Sequence, residues 1–145
     1  MTIEPIAERP SWMGLLARAR PGALEALCPD LPDHALLRGP EVGAVMVRGR
    51  IGGTGQPFNL GEMTVTRCSV RLPDGAVGHA HVQGRDKAHA RRAAVLDALF
   101  QSTPALRDRV LAPLRADEAA RQSLRAAKAA ATKVEFFTLV RGEDQ

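Results

Sequence analysis

The chain has 145 residues, 45% of them hydrophobic and 25% charged, a length and balance that suit one globular domain and exclude wholesale disorder. Lys and Arg number 20 against 16 Asp and Glu, a formal charge of +4 that points to an acidic or phosphate-bearing partner. Aromatic residues are only 3%, with no Tyr, which argues against single-stranded nucleic acid, and no run of 18 apolar residues offers a membrane span.

Residues 1–10 carry Glu4, Glu8 and Arg9 and lack the apolar stretch of a secretory signal, so a cytoplasmic location is expected. From Trp12 to Ala19 the apolar residues Trp12, Leu15, Leu16 and Ala19 recur at helical spacing, with Ser11 as cap. Pro21 interrupts this helix and opens a second, Gly22 to Cys28, with Leu24 and Leu27 inward. Pro29, Pro32 and Pro40 predict a loop from Pro29 to Pro40. Val42 to Arg50 is a strand by its β-branched content, and IGGTGQ, Ile51 to Gln56, is a turn. Phe58 to Leu60 is a brief extended piece. Met63 to Leu72 alternates, with Thr64, Thr66, Cys68, Val70 and Leu72 on the core side. Pro73-Asp74-Gly75 is a turn, and Ala76 to Gln83 is the return strand.

Gly84 ends the sheet region. Asp86 caps a helix running to about Gln101, with Ala88, Val95, Leu96, Leu99 and Phe100 inward and Arg91 and Arg92 outward. A further helix starts near Pro104, and Pro113 is expected to break or kink it. Asp117 to Lys133 is an Ala-rich helix with a thin apolar stripe, suited to solvent or to a partner. Val134 to Val140 is β-prone, and its adjacent Phe136 and Phe137 suggest docking on a neighbour. The fold class predicted is α+β: an antiparallel sheet over about residues 42–83, flanked by N-terminal and C-terminal helices, in a single domain 1–145.

Two segments have the chemistry of anion sites. Gly52, Gly53, Thr54 and Gly55, beside Arg48 and Arg50, offer close backbone approach and an amide nest, without the P-loop spacing; a plain tight turn is the more frequent use of such glycines. Gln83-Gly84-Arg85-Asp86-Lys87 joins a strand end to a helix N-terminus with two cations. The candidate ligand-binding residues are therefore Arg50, Gly52, Gly53, Thr54, Gly55, Gly84 and Arg85. His79 and His81 share a strand face. With His89 they form a loose zinc-type set, far weaker evidence than a close-spaced motif, and no metal is assigned. Glu41 and Glu62 are placed to meet across the sheet, although an ion pair of Glu62 with Arg48 or Arg67 is the simpler use. Cys28 and Cys68 form no CxxC pair, and Cys68 fits a buried strand position. No nucleophile–base arrangement with a local signature is present, so no catalytic residue is assigned.

The string RGPEVGAVMVRGRIGGTGQPFNLGEMTVTRCSVRL from Arg38, with GHAHVQGRDKAHA from Gly78 and VEFFTLVRG from Val134, resembles the G-subunit (PhnG) family of the bacterial carbon–phosphorus lyase complex, as does RPSWMGLLARA from Arg9. The resemblance implies a non-catalytic or co-catalytic subunit of ribose 1-methylphosphonate 5-triphosphate synthase, a transferase of phosphonate metabolism. Its partners would be the H, I and J subunits, I most directly, and the ABC-type L protein, with a homodimer open for the isolated chain. Together with H, I and L, such a subunit is required to move the ribose triphosphate of ATP onto a phosphonate with release of adenine. MgATP would be the substrate of the complex, with no cofactor held by this chain. Two rival readings are an independent enzyme using Glu62 with His79 or His81, and a stand-alone basic module for nucleic acid or a phosphate ligand.

Overall fold

A computed structural model describes residues 5–136, and side chains from residue 8 onward. Helices α1 (Pro5–Arg18) and α2 (Pro21–Leu27) lead into strand β1 (Ala35–Arg50). A single 3-10 turn, Ile51–Gly53, connects it to β2 (Pro57–Arg71), and β3 (Val77–Gln83), α3 (Lys87–Phe100) and α4 (Pro104–Ala131) follow. The three strands form one antiparallel sheet in the order β1-β2-β3. The α+β class holds, with the sheet starting earlier than expected.

Several boundaries differ from the sequence reading, each for a physical reason. Helix α1 starts at Pro5, so Ser11 lies inside it rather than capping it. The segment expected as a loop to Pro40 becomes strand from Ala35, because Pro40 lies at a register shift in an edge strand, where a missing N–H is tolerated. Phe58–Leu60 and Met63–Leu72 merge into one strand, held by pairing with β1 as far as Arg50↔Pro57. Ala88 points outward while Ala90, Ala93, Ala94 and Ala98 are buried, and Leu99 is half-buried. Helix α4 runs unbroken through Pro113, which is exposed together with Arg109, the residue whose carbonyl loses its helical donor. Val134–Phe136 lack regular structure and Phe136 is 90% exposed; Phe137 to Val140 lie outside the described residues.

One face of the sheet carries Thr66, Cys68, Val70, Ala80 and Val82 into a core completed by α1, α2, α3 and the first half of α4. Trp12 sits in it, edge-on to Phe100 at 6.1 Å between centroids, with the Arg107 guanidinium 5.5 Å from its ring centre. Helix α3 lies so close to β3 that a Cβ on Gly78 would stand 1.9 Å from the Ala94 carbonyl oxygen, so no side chain fits at 78. Cys28 and Cys68 are both buried free thiols, and burial raises both pKa values.

A buried carboxylate ties these layers together. Asp97 of α3 is fully buried. Its Oδ1 accepts from Trp12 Nε1 at 2.8 Å and Arg9 Nε at 3.1 Å, and its Oδ2 from Arg9 Nη2 at 2.7 Å and the His79 amide at 2.9 Å. Arg9 and Gln101 also both donate to the Val77 carbonyl. Side chains from α1, α3 and the residue just after α3 thereby satisfy the Val77 carbonyl and the His79 amide on the free edge of β3. Asp97→Ala leaves Arg9, the indole N–H and the His79 N–H without their acceptor, and is expected to lower stability by about 3–5 kcal/mol. A urea unfolding midpoint unchanged from the parent would contradict this.

Candidate functional site

The glycine cluster forms the tip of the β1–β2 hairpin. Gly52 and Gly53 have φ of 59° and 83°, a left-handed conformation that favours glycine. The Ile51 amide donates to the Gln56 carbonyl, and the Thr54 and Gly55 amides both point to the Ile51 carbonyl. Arg50 Nη1 donates to the Gly55 carbonyl at 3.2 Å. Much of the loop's donor capacity, and the Arg50 head, is thus engaged in closing the turn. The second segment lies elsewhere. Gly84, with φ of 96°, turns the chain out of β3, its amide donating to the Thr64 carbonyl, and Arg85 is exposed. Asp86 Oδ1 accepts from the His89 amide at 2.9 Å and caps α3 as expected, placing a carboxylate where an external anion would approach. Thr64 and Pro57 are seven residues apart on β2, so roughly 23 Å of strand separates the corner from the loop. The two segments belong to separate places on the molecule.

The histidines do not converge. His79 Nδ1 lies 2.8 Å from Ser69 Oγ on the exposed sheet face, and His81 stands two residues along opposite Arg67. His89 is buried with Nε2 2.8 Å from the Leu16 carbonyl oxygen, and His34 is engaged by Pro32 and Arg91. Among the described residues no three ligating side chains group as a metal site. Glu41 and Glu62 do not meet either: Glu41 is opposite Arg67, and Glu62 opposite Met46. Arg67 therefore pairs with Glu41 at 2.7 Å, not with Glu62, and Arg38 bonds the same Glu41 oxygen. These two guanidinium hydrogen bonds, Arg38 first, hold the Glu41 carboxyl below the ordinary glutamate value of 4.5.

A half-open cavity of about 690 Å³ lies between the end of α1, the middle of α4 and the sheet. Sequence reasoning missed it, because its walls come from five separate parts of the chain. Val45, Met63 and Val65 contribute apolar surface; His81, Gln83, Gln122 and Arg125 contribute polar groups. The junction of α1 and α4 is held by Arg18 on Glu118, Arg20 on Asp117, and Arg121 reaching both Asp117 and the Arg18 carbonyl. Arg18 bonds to Glu118 lower that carboxyl's pKa.

The open part of the molecule is the hairpin. Strand β3 pairs with β2 only from Val65 to Arg71, so residues 44–64 extend beyond it as a two-stranded arm. Met46, Ile51, Phe58 and Leu60 are exposed on that arm, and Leu36, Leu37 and Val42 on β1 below it. Along β1 no residue is buried, and its outer edge has no strand beside it in the sheet.

Comparison with known proteins gives a consistent picture. The family model described as phosphonate metabolism protein PhnG matches residues 7–142. A curated protein of Rhizobium meliloti (strain 1021), named as the PhnG subunit of alpha-D-ribose 1-methylphosphonate 5-triphosphate synthase, is 51% identical over 148 aligned positions, which cover 96% of this chain and 92% of that protein. No helix of the described residues is long and apolar enough to cross a membrane.

The Glu41 cluster gives a pH test. A depressed folded-state pKa means its contribution to stability is present above the unfolded value and is lost as pH falls through the lower folded one. The carboxyl carbon of Glu41, followed by NMR, is expected to titrate below 4.5 in the parent and to move up toward that value in Arg67→Ala. Identical midpoints in the two proteins would remove Arg67 as a cause.

Proposed function

Since the chain belongs to the PhnG family of phosphonate metabolism proteins, we propose that it is a non-catalytic or co-catalytic subunit of the carbon–phosphorus lyase core complex. In this reading it acts with the H, I and L proteins when the ribose triphosphate of ATP is transferred to a phosphonate and adenine is released. The J subunit joins the same core, and the I subunit makes the direct contact. MgATP is the substrate of the assembly.

The observation that carries the reading is the contrast between the two sheet edges. At the β3 edge Asp97, Arg9 and Gln101 engage the Val77 carbonyl and the His79 amide, whereas the β1 edge has no strand beside it and the 44–64 arm exposes large apolar side chains. An isolated two-stranded ribbon is only marginally stable in water, and an open apolar edge invites pairing. A partner subunit that covers the arm meets both needs. The hairpin tip, with Arg50 and Gly52 to Gly55, is then carried away from the body toward that partner, which is how it reaches a triphosphate or phosphonate in a shared site. The Gly84–Arg85 corner is the second place of ligand contact.

Two experiments test this. Co-expressed with the I subunit, the parent chain is expected to co-purify with it. The Met46→Glu, Leu60→Glu double variant is expected to keep its fold, since exposed substitutions shift stability by only about 0.5 kcal/mol, yet to lose the partner. A parent chain that stays a stable monomer and never joins that subunit rejects the reading. Within an assembled complex, Gly53→Val combined with Arg50→Ala is expected to lower product yield at least tenfold if the tip touches ligand, by the loss of a charged hydrogen bond and a strained φ of 83°. An unchanged yield removes the tip from the site.

A further inference from the structure

We propose that the cavity between α1, α4 and the sheet is a binding site for a phosphorylated organic molecule of nucleotide size, with its phosphate at Arg125 and Arg121. The assignment deepens the corner contact suggested above, because Gln83 and Asp86 line the same cavity, and its test is independent of subunit assembly.

Volume is the first argument. At about 690 Å³ the cavity falls within the range of small-molecule sites, roughly 300–1,000 Å³. Its chemistry is mixed in the way such sites require. Val45, Met63 and Val65 present an apolar wall. Val65 is buried to 6% exposure and lines this wall. An organic body against these three side chains would remove apolar surface from water.

Electrostatics then select the charged end. Two acids line the cavity, and both are engaged: Asp86 accepts from the His89 amide, and Glu118 is held by Arg18. Arg121 is fixed by Asp117 and the Arg18 carbonyl. Arg125 follows it at i+4 on the same helix face, exposed at the mouth of the cavity, and among the described residues its side chain forms no ion pair or hydrogen bond with the chain. Gln122, His81 and Gln83 are likewise uncommitted within the described residues. A guanidinium without a partner, next to one already positioned, matches a phosphate group by charge and by forked donor geometry. The Gln83 and Gln122 amides suit hydroxyl or amide groups of the organic body. Adding an anion here neutralises an excess of cations and displaces no internal ion pair.

The test uses the full-length chain titrated with ADP, adenosine and pyrophosphate, followed by calorimetry and by NMR of the Met63 methyl group and the His81 ring. ADP is expected to saturate and to shift both signals. Pyrophosphate is expected to shift His81 without Met63, and adenosine to bind at least tenfold more weakly than ADP. Arg125→Ala is expected to weaken ADP about tenfold, as loss of a charge-assisted contact implies, while Arg125→Lys recovers part of the affinity. Arg71→Ala, a basic residue outside the cavity lining, is expected to leave ADP binding unchanged and serves as the control for bulk charge. The proposal is overturned if ADP does not bind, if it binds without moving Met63 and His81, or if Arg71→Ala and Arg125→Ala weaken it equally. Each of those outcomes can occur with co-purification of the I subunit intact, so it would count against the cavity alone.

Discussion

The buried carboxylate of Asp97 is the constraint on which the body of this molecule turns. A full charge at zero exposure is tolerated only when its lone pairs are filled, and here four donors fill them. Those donors come from α1 and from the backbone of β3, so satisfying one side chain fixes the relative placement of three elements. A greasy helix can slide by a fraction of a turn over a sheet at small expense. A helix whose Arg9 and Trp12 must both reach one carboxylate cannot. Gly78 sets the spacing of the same contact, because only a missing side chain lets α3 settle onto β3 at that depth. The position of α1 then fixes where its C-terminal end meets α4, and with it the cavity wall.

The rest of the molecule is organised by what is left uncovered. Helical packing covers the sheet near β3 and thins out toward β1. On the exposed sheet face, order comes from polar cross-strand contacts instead: Glu41 between Arg38 and Arg67, and Ser69 against His79. Such contacts specify register more than they stabilise, since exposed ion pairs contribute only about 0–1 kcal/mol each. Register matters in a ribbon of this length, because a slip of one residue would exchange its two faces. The protein thus keeps a long, correctly paired hairpin ready while spending little of its core on it.

Much of the body was legible in the sequence. Helical spacing marked Trp12, Leu15, Leu16 and Ala19; alternation marked Thr66, Cys68, Val70 and Leu72; Asp86 announced the start of α3. These are local signals, read within a few residues. The family resemblance was equally readable, in motifs spread along the chain, and the comparisons bear it out. What escaped was long-range. Asp97 looks like any acid on a helix until residues 9, 12 and 79 are brought to it. Gly78 looks like an ordinary strand glycine until α3 is laid across it. The merging of 58–60 with the following strand depended on a partner, β1, whose own start was hidden by Pro40. The cavity had no signature at all, since its polar side chains look like solvated surface one at a time.

The contacts of Asp97 also impose an order on events during synthesis. Helix α1 leaves the ribosome before α3, and the carboxylate that seats it follows 88 residues after Arg9. Until α3 has emerged, Trp12 has neither its acceptor nor the Phe100 ring it packs against. Helix α1 is therefore made well before it can find its place, and an interrupted nascent chain ending before residue 97 presents that tryptophan to whatever guards unfinished proteins.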